Sequence, residues 1–413
     1  MINKRKIIND PVHGFIKIPT NLIYDLLEHP YIQRLRRIKQ LGLTSFVYPG
    51  ATHTRFQHAL GALHLMGLAI ESIRQKNIVI TNEEAEALTA AILLHDIGHG
   101  PFSHALEQSI IADLTHEDLS IMLMNKLNKE FGGKLNMALD IFNNNYPKNF
   151  LHQLVSGQLD MDRMDYLMRD SFYAGVAEGT IGTERIIKML NVIDDQLVVE
   201  AKGIYSIEKF LIARRLMYWQ VYFHKTVIAA ENLLVKVLQR AKTVADDDPD
   251  LFATESLNFF LRNKITREKM HDAENKILNY YTSLDDDDIM VSAKSWAFHH
   301  DKLLSLLSRN LIRRILPRVR ISDIPFEENK INNLINITAE KYAINESETA
   351  YLVFGGIISN KAYSVNAENI KIIYNNGEIK DLTEASDIFQ LQNLNETKKK
   401  YFLCYPKDVG LNY

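Results

Sequence analysis

A chain of 413 residues can bury a sizeable core without disulfides, and its single cysteine, Cys404, rules out an intramolecular bridge. Hydrophobic residues make up 46% of the chain and the formal net charge is −3, as expected of a globular protein with no general electrostatic attraction for nucleic acid. Residues 1–6 are polar and basic with no apolar run after them, and the most apolar stretch, 85–94, is too short to span a bilayer. A soluble cytoplasmic protein with no membrane partner is expected, and a lone cysteine suits a reducing compartment.

No repeat of solenoid or propeller spacing is present. The first 320 or so residues read as mainly helical. Residues 55–76 carry Leu60, Leu63, Leu68, Ile70 and Ile73 as one helical stripe. Thr81-Asn82-Glu83-Glu84 forms a capping box for a helix that runs to His95 and is broken by Gly98, Gly100 and Pro101. Ser103 is expected to cap the segment after it, and Thr115-His116-Glu117-Asp118 opens another helix. Residues 158–172 and 206–243 fit helical periodicity, the second as one long helix. Between them, 191–200 suggests a short β excursion around Asp194-Asp195. After about residue 325 the pattern changes to strands at 351–359, 370–374 and 401–405, with a turn at Asn375-Asn376-Gly377. The acidic runs 246–248 and 285–288 read as solvated loops, since consecutive aspartates lack the spacing of a calcium loop. The expected fold class is mainly α, a helical body over 1–325 with a small α+β appendage over 326–413.

The chemistry concentrates in Leu93-Leu94-His95-Asp96-Ile97-Gly98-His99-Gly100-Pro101-Phe102-Ser103-His104. Here an apolar helix ends in histidines and an aspartate, groups that are costly to bury unless paired or bound to a metal. Imidazole beside carboxylate offers mixed N/O ligation suited to Fe, Mn, Zn or Mg. A histidine-aspartate pair alone is better explained as a capping Asp beside a core His; the full string is far more specific. Asp162, Tyr166 and Asp170, spaced i, i+4, i+8, share one helical face, and Arg214, Tyr218 and Tyr222 repeat that spacing. Asp165 reads as a solvated charge. No Walker A loop, dinucleotide fingerprint or G-x-S-x-G elbow is present.

His58, His95-Asp96 and Asp162 follow the H…HD…D order of the HD phosphohydrolases. The segments Asn9-Asp10-Pro11-Val12-His13-Gly14, Gln33-Arg34-Leu35-Arg36, Lys39-Gln40-Leu41-Gly42 and Pro49-Gly50-Ala51-Thr52-His53-Thr54-Arg55-Phe56-Gln57-His58 add to the match. Over about residues 6–225 the chain resembles the deoxynucleoside triphosphate triphosphohydrolases, with no SAM domain before the match and an HD core at about 50–175. The resemblance implies a divalent metal on His58, His95, Asp96 and Asp162, with an additional Mg accompanying the nucleotide. It implies phosphate-side roles for His99 and His116, either of which can serve as general acid, and catalytic roles for His104 and Glu107. Glu107 departs from an Asp in the family's best-known member. Arg55 and Arg163 would contact phosphate, Arg163 standing where the human enzyme has Lys. Gln40 and Leu41 would read the sugar 3′-hydroxyl and crowd its 2′ side, and Tyr166, Asp170, Arg214 and Tyr222 would contact the nucleotide. Lys6, Asn9, Gln33 and Arg36 resemble a regulatory-nucleotide site between subunits, although Glu28 replaces an Asp there. The family implies a homo-oligomer, dimer or tetramer, and a nucleotide activator.

The expected reaction is metal-assisted hydrolysis of a deoxynucleoside triphosphate to deoxynucleoside and inorganic triphosphate. Two alternatives keep other parts of the pattern. One is an HD phosphohydrolase acting on a nucleoside monophosphate, cyclic nucleotide or guanosine alarmone. The other is a nucleotide-sensing or nucleic-acid-binding regulator with little turnover.

Overall fold

The computed structural model describes residues 6–102, 105, 106, 109, 114–360, 369–386 and 398–409. A hairpin, β1 (Ile7–Asp10) and β2 (Gly14–Lys17), precedes α1 (Asn21–Glu28). The helical body then contains α2 (Arg55–Arg74), α3 (Asn82–Leu94), α4 (His116–Glu130), α5 (Asn136–Phe142), α6 (Asn149–Val155), α7 (Met161–Ala174) and α8 (Thr183–Met189). Strands β3 (Leu190–Ile193) and β4 (Gln196–Glu200) follow. Then come α9 (Ile204–Met217), a π-helical turn at Tyr218–Tyr222 and α10 (Lys225–Asp247). The body closes with α11 (Glu255–Arg262), α12 (Arg267–Ser283), α13 (Asp286–Trp296) and α14 (Lys302–Ile312). The expectation of a mainly helical protein with a small α+β part holds.

Helix α2 is the centre of the body, packed against both α3 and α7. The sequence suggested one apolar stripe. In fact Ala59, Ala62, Leu65, Met66 and Ala69 are buried as well, while Leu68 is partly exposed. A helix apolar on most sides is one enclosed by neighbours, which a stripe count does not register. Helix α3 starts on the expected capping box: Glu84 N donates to Thr81 Oγ1 (3.1 Å) and Thr81 N to Glu84 Oε2 (2.8 Å). Thr115 and Asp118 repeat the device at α4. Asp194 and Asp195 both take positive φ (49° and 56°), the geometry of a tight hairpin turn between β3 and β4.

Two expectations are corrected. The long helix over 206–243 is broken: the π turn shifts the register and His224 caps a new helix at Lys225. The run 285–288 is not a solvated loop. Asp285 and Asp286 are buried, and Asp285 caps α13, accepting from Asp287 N (3.0 Å). Asp286 accepts from Lys39 N (3.0 Å) and Arg37 pairs with Asp285, so the run anchors the segment that carries Gln40 and Leu41.

The C-terminal part holds α15 (Glu328–Tyr342) and strands β6 (Phe354–Asn360), β7 (Lys371–Ile373), β8 (Ile379–Asp381) and β9 (Lys398–Tyr405). It is stitched into the body twice. Strand β7 pairs in parallel with β4, giving the sheet order β3-β4-β7-β8. Strand β5 (Arg318–Ser322) pairs with β9, which also pairs with β6. Both pairings cross residue 325. No helix among the described residues is long and apolar enough to cross a membrane.

Candidate active site and metal centre

His95 and Asp96 stand just beyond the last residue of α3, on a loop held from several sides. Arg34, almost wholly buried, donates through Nη2 to the carbonyls of Ile97 (2.9 Å) and His99 (3.0 Å). Tyr281 Oη donates to the Gly98 carbonyl (2.6 Å), and Gly98 N donates to Ser120 Oγ (2.9 Å), which donates to the His95 carbonyl (2.9 Å). A Cβ on Gly98 would stand 2.1 Å from the His116 carbonyl, so glycine is required for this close approach to α4. The approach stacks His116 on His99, with ring centroids 3.9 Å apart and 16° between planes.

Four side chains converge beside this loop. His58 Nε2 lies 3.1 Å from Asp162 Oδ1, 3.3 Å from His95 Nε2 and 3.8 Å from Asp96 Oδ2. His95 Nε2 is 3.4 Å from Asp162 Oδ1 and 3.5 Å from Asp96 Oδ1. The other ring nitrogens fix the tautomers. His95 Nδ1 is 2.6 Å from the Ile92 carbonyl, which can only accept, and His58 Nδ1 is 2.8 Å from the Asp165 carboxylate. Both Nδ1 atoms therefore carry hydrogen, and each ring, once any Nε2 proton is displaced, turns an Nε2 lone pair toward the same two carboxylates. That donor set, two imidazoles and two aspartates at polyhedron-edge spacing, fits a divalent cation. Three of the four, His58, His95 and Asp162, form a group that could hold an ion. Burial opposes charge on His58, but Asp162 and Asp165 outweigh it and raise its pKa to about 10. The carboxylate charge that favours a proton there would equally favour a cation.

Asp165, read from sequence as a solvated charge, is fully buried. Besides His58 it takes His13 Nε2 (2.6 Å) and Arg169 through Nε (2.9 Å) and Nη2 (3.0 Å). Arg169 reaches on to Asp10 (2.8 and 3.2 Å), which also accepts from the backbone N–H groups of Val12 and His13. Gly61 of α2 leaves room for this pairing: a Cβ there would meet Asp165 Oδ1 at 1.9 Å.

A cavity of about 780 Å³ opens from the cluster. Its wall includes Arg55, Asp96, His99, His116 and Asp162 at the cluster, with Gln40, Leu41, Tyr166, Asp170 and Tyr222 beyond. Arg55 donates to Asp96 Oδ2 (2.6 Å). Asp170 is buried, accepting from Tyr222 Oη (2.6 Å) and pairing with His53 Nε2 (2.8 Å). The cavity thus gathers most of the substrate contacts expected from sequence. It does not gather Arg163, whose guanidinium pairs with Asp160 and the Gly157 carbonyl at the start of α7, nor Arg214, which lies near Tyr166 but is not on the wall. Tyr218, reached through the π turn, is on it. His104 and Glu107, together with Ser103, lie outside the described residues.

Lys6, Asn9, Gln33 and Arg36 stand apart from this wall. Lys6 pairs with Glu28 (2.8 Å), and Arg36 Nε donates to Gln33 Oε1 (2.8 Å) while its guanidinium lies 3.7 Å from the Phe56 ring centre. Asn9 is exposed on β1.

Residues missed by the sequence reading are Asp165, His13, Asp10, Arg169, His53 and Arg34. Two carried a signal: Asp165 and Arg169 recur at i, i+4 within the apolar face of α7.

Comparison with known proteins agrees with this geometry. Residues 55–168 match the HD domain and residues 181–259 the HD associated region. An uncharacterized protein of Bacillus subtilis, YwfO, is 32% identical, covering 99% of this chain and 94% of its own. A deoxynucleoside triphosphate triphosphohydrolase SAMHD1 homolog of Dictyostelium discoideum is 32% identical over 72% of this chain, which spans 63% of that protein, less than two thirds. The crystal structure of a phosphohydrolase from Bacteroides thetaiotaomicron superposes with a TM-score of 0.94 at 53% identity, covering 97% of this chain and all of that one. With HD ligand positions, an HD domain and an HD associated region in one chain, and such relatives along its length, the protein belongs to the HD-domain family similar to the deoxynucleoside triphosphate triphosphohydrolases.

Proposed function

We propose that this phosphohydrolase converts deoxynucleoside triphosphates to deoxynucleoside and inorganic triphosphate, with a divalent metal on His58, His95, Asp96 and Asp162. The observation that carries the substrate is Gln40 Oε1, a buried acceptor in the cavity with no hydrogen-bond partner among the described residues. Leaving such an acceptor unmet costs about 1–3 kcal/mol, and a sugar 3′-hydroxyl is a donor of the right kind. Leu41 beside it places an apolar side chain where a ribose 2′-hydroxyl would need a partner. Tyr166, held on the same wall as the Asp170–Tyr222 pair, closes the sugar's other side.

Water attacks the α-phosphorus, the bond to the 5′-oxygen breaks, and the water oxygen leaves on triphosphate while a proton reaches the departing 5′-oxygen. A bound divalent metal supplies Lewis acidity toward the phosphate and the attacking water. Arg55, anchored on Asp96, offsets negative charge that builds on the phosphate. Burial and the Arg55 charge lower the His99 pKa to about 3, so His99 is neutral and offers a hydrogen bond. Proton delivery falls to His116, stacked against it.

Product analysis over a panel of nucleotides with Mn, Mg or Fe tests the bond cleavage: triphosphate and deoxynucleoside are expected, and orthophosphate or pyrophosphate overturns it. Leu41→Ala is expected to raise kcat/KM for ribonucleotides relative to deoxyribonucleotides by about tenfold, the scale of one apolar pocket contact. An unchanged ratio removes Leu41 as the sugar discriminator.

A further inference from the structure

Glu231, on α10, lies on the cavity wall, and it belongs to none of the motifs that mark the site in the sequence. It is half-buried, and its Oε1 is 3.9 Å from where a Cβ on Gly42 would stand, one residue beyond Leu41. No donor or cation among the described residues meets its carboxylate: burial alone acts on it, pushing its pKa up to about 7. Next to it Asn232 gives Nδ2 to the Ile228 carbonyl (2.9 Å), which leaves Oδ1 as a further acceptor on this wall. Tyr218, Tyr222 and Phe223 supply aromatic rings to the same cavity. A carboxylate with no such partner among the described residues, on a wall shared with aromatic side chains, calls for a ligand edge that donates.

We propose that Glu231 reads the base of the substrate and selects guanine, whose N1–H and N2–H groups match the two carboxylate oxygens. The inference rests on the deoxynucleotide reading above and adds base selection to it. Adenine and cytosine each present one donor beside a ring acceptor that would face the carboxylate oxygen. Thymine presents one donor between two carbonyls. Each of these sets a lone pair against the carboxylate, whereas guanine pairs with both oxygens. A bidentate pair of this type discriminates against a wrong base by roughly tenfold to a hundredfold.

The test has two arms. Dissociation constants of dGTP, dATP, dCTP and dTTP are measured calorimetrically in EDTA, and kcat/KM for the four is measured with metal. dGTP is expected to lead both series by roughly tenfold or more. Glu231→Gln, close in shape but with one donor and one acceptor, is expected to abolish that lead and move dATP or dCTP up in rank. Equal affinities for all four in the native protein, or an unchanged ranking in E231Q, overturns the assignment. Selective dGTP binding without release of triphosphate would leave the base reader standing and overturn the hydrolytic reading, so the two failures are distinct.

Discussion

His58 can offer a cation only Nε2, because its Nδ1–H is committed to Asp165. Asp165 is in turn fixed by Arg169 and His13, and Arg169 by Asp10, so a buried polar network running back to the first hairpin sets one ring orientation. Partners of this kind typically change metal affinity by about 10–100-fold when removed. Asp165→Asn keeps the volume but turns an N–H group toward His58 or Arg169. It is expected to weaken metal binding by about that factor, read by titrating metal into the chelator-treated protein. It should also lower the stability of the metal-free chain, since breaking a buried ion pair costs about 3–5 kcal/mol. Native metal affinity in a destabilised D165N chain would reduce Asp165 to a packing role. The face formed by Asp162, Tyr166 and Asp170 was readable from spacing alone. Asp165 carried only its i, i+4 spacing to Arg169, because its partners His58 and His13 lie more than a hundred residues away in sequence.

Helix starts were readable because caps are local chemistry, and Glu84 shows how far one cap extends. Its carboxylate satisfies Thr81 N at the start of α3, accepts from Tyr146 Oη (2.8 Å) and pairs with Lys148 Nζ (2.8 Å), tying α3 to the segment before α6. Burial works against its charge, but Lys148 and the Thr81 and Tyr146 hydrogen bonds outweigh it and lower its pKa. The sign follows from linkage: a depressed carboxyl pKa stabilises the fold above the ordinary glutamate value, and the gain fades as pH falls through the depressed one. Glu84→Gln is expected to cost about 1–3 kcal/mol at neutral pH, combining a weakened cap with a lost charge-assisted bond. The deficit should shrink in acid. Urea unfolding at pH 7 and pH 4 checks this, and a deficit that grows in acid contradicts it. The π turn at Tyr218–Tyr222 carried no local sign, since neither Gly nor Pro marks it. It places Tyr218 and Tyr222 on the cavity wall, and such turns gather at functional sites.

Three of the C-terminal strands, β6, β7 and β9, were visible as strands from their residues, but β8 and the pairing partners were not. Strand β7 pairs with β4, about 170 residues earlier, a spacing fixed by topology and invisible to local pattern. Ile370, Ile372 and Leu382 join the main core, and Ile358, Phe402 and Cys404 pack on Ile228 of α10. Gly355, Gly356, Ile357, Ile358 and Phe402 line the cavity, so the appended sheet forms part of the chamber wall. If that packing makes body and sheet one cooperative unit, they should open together. Cys404, the only cysteine, reports on this from the middle of that sheet: it is fully buried in β9, and burial pushes its pKa up to about 12. A thiol so placed reacts only when its strand opens. Labelling of Cys404 by a disulfide reagent is expected to rise with urea along the same curve as the loss of far-UV circular dichroism. A nucleotide held in the chamber should shift both curves together, by the binding free energy it adds to the closed state. Labelling that saturates well below the helical transition would instead make the sheet a separately opening flap. The chamber would then be gated by β6 and β9 rather than walled by them.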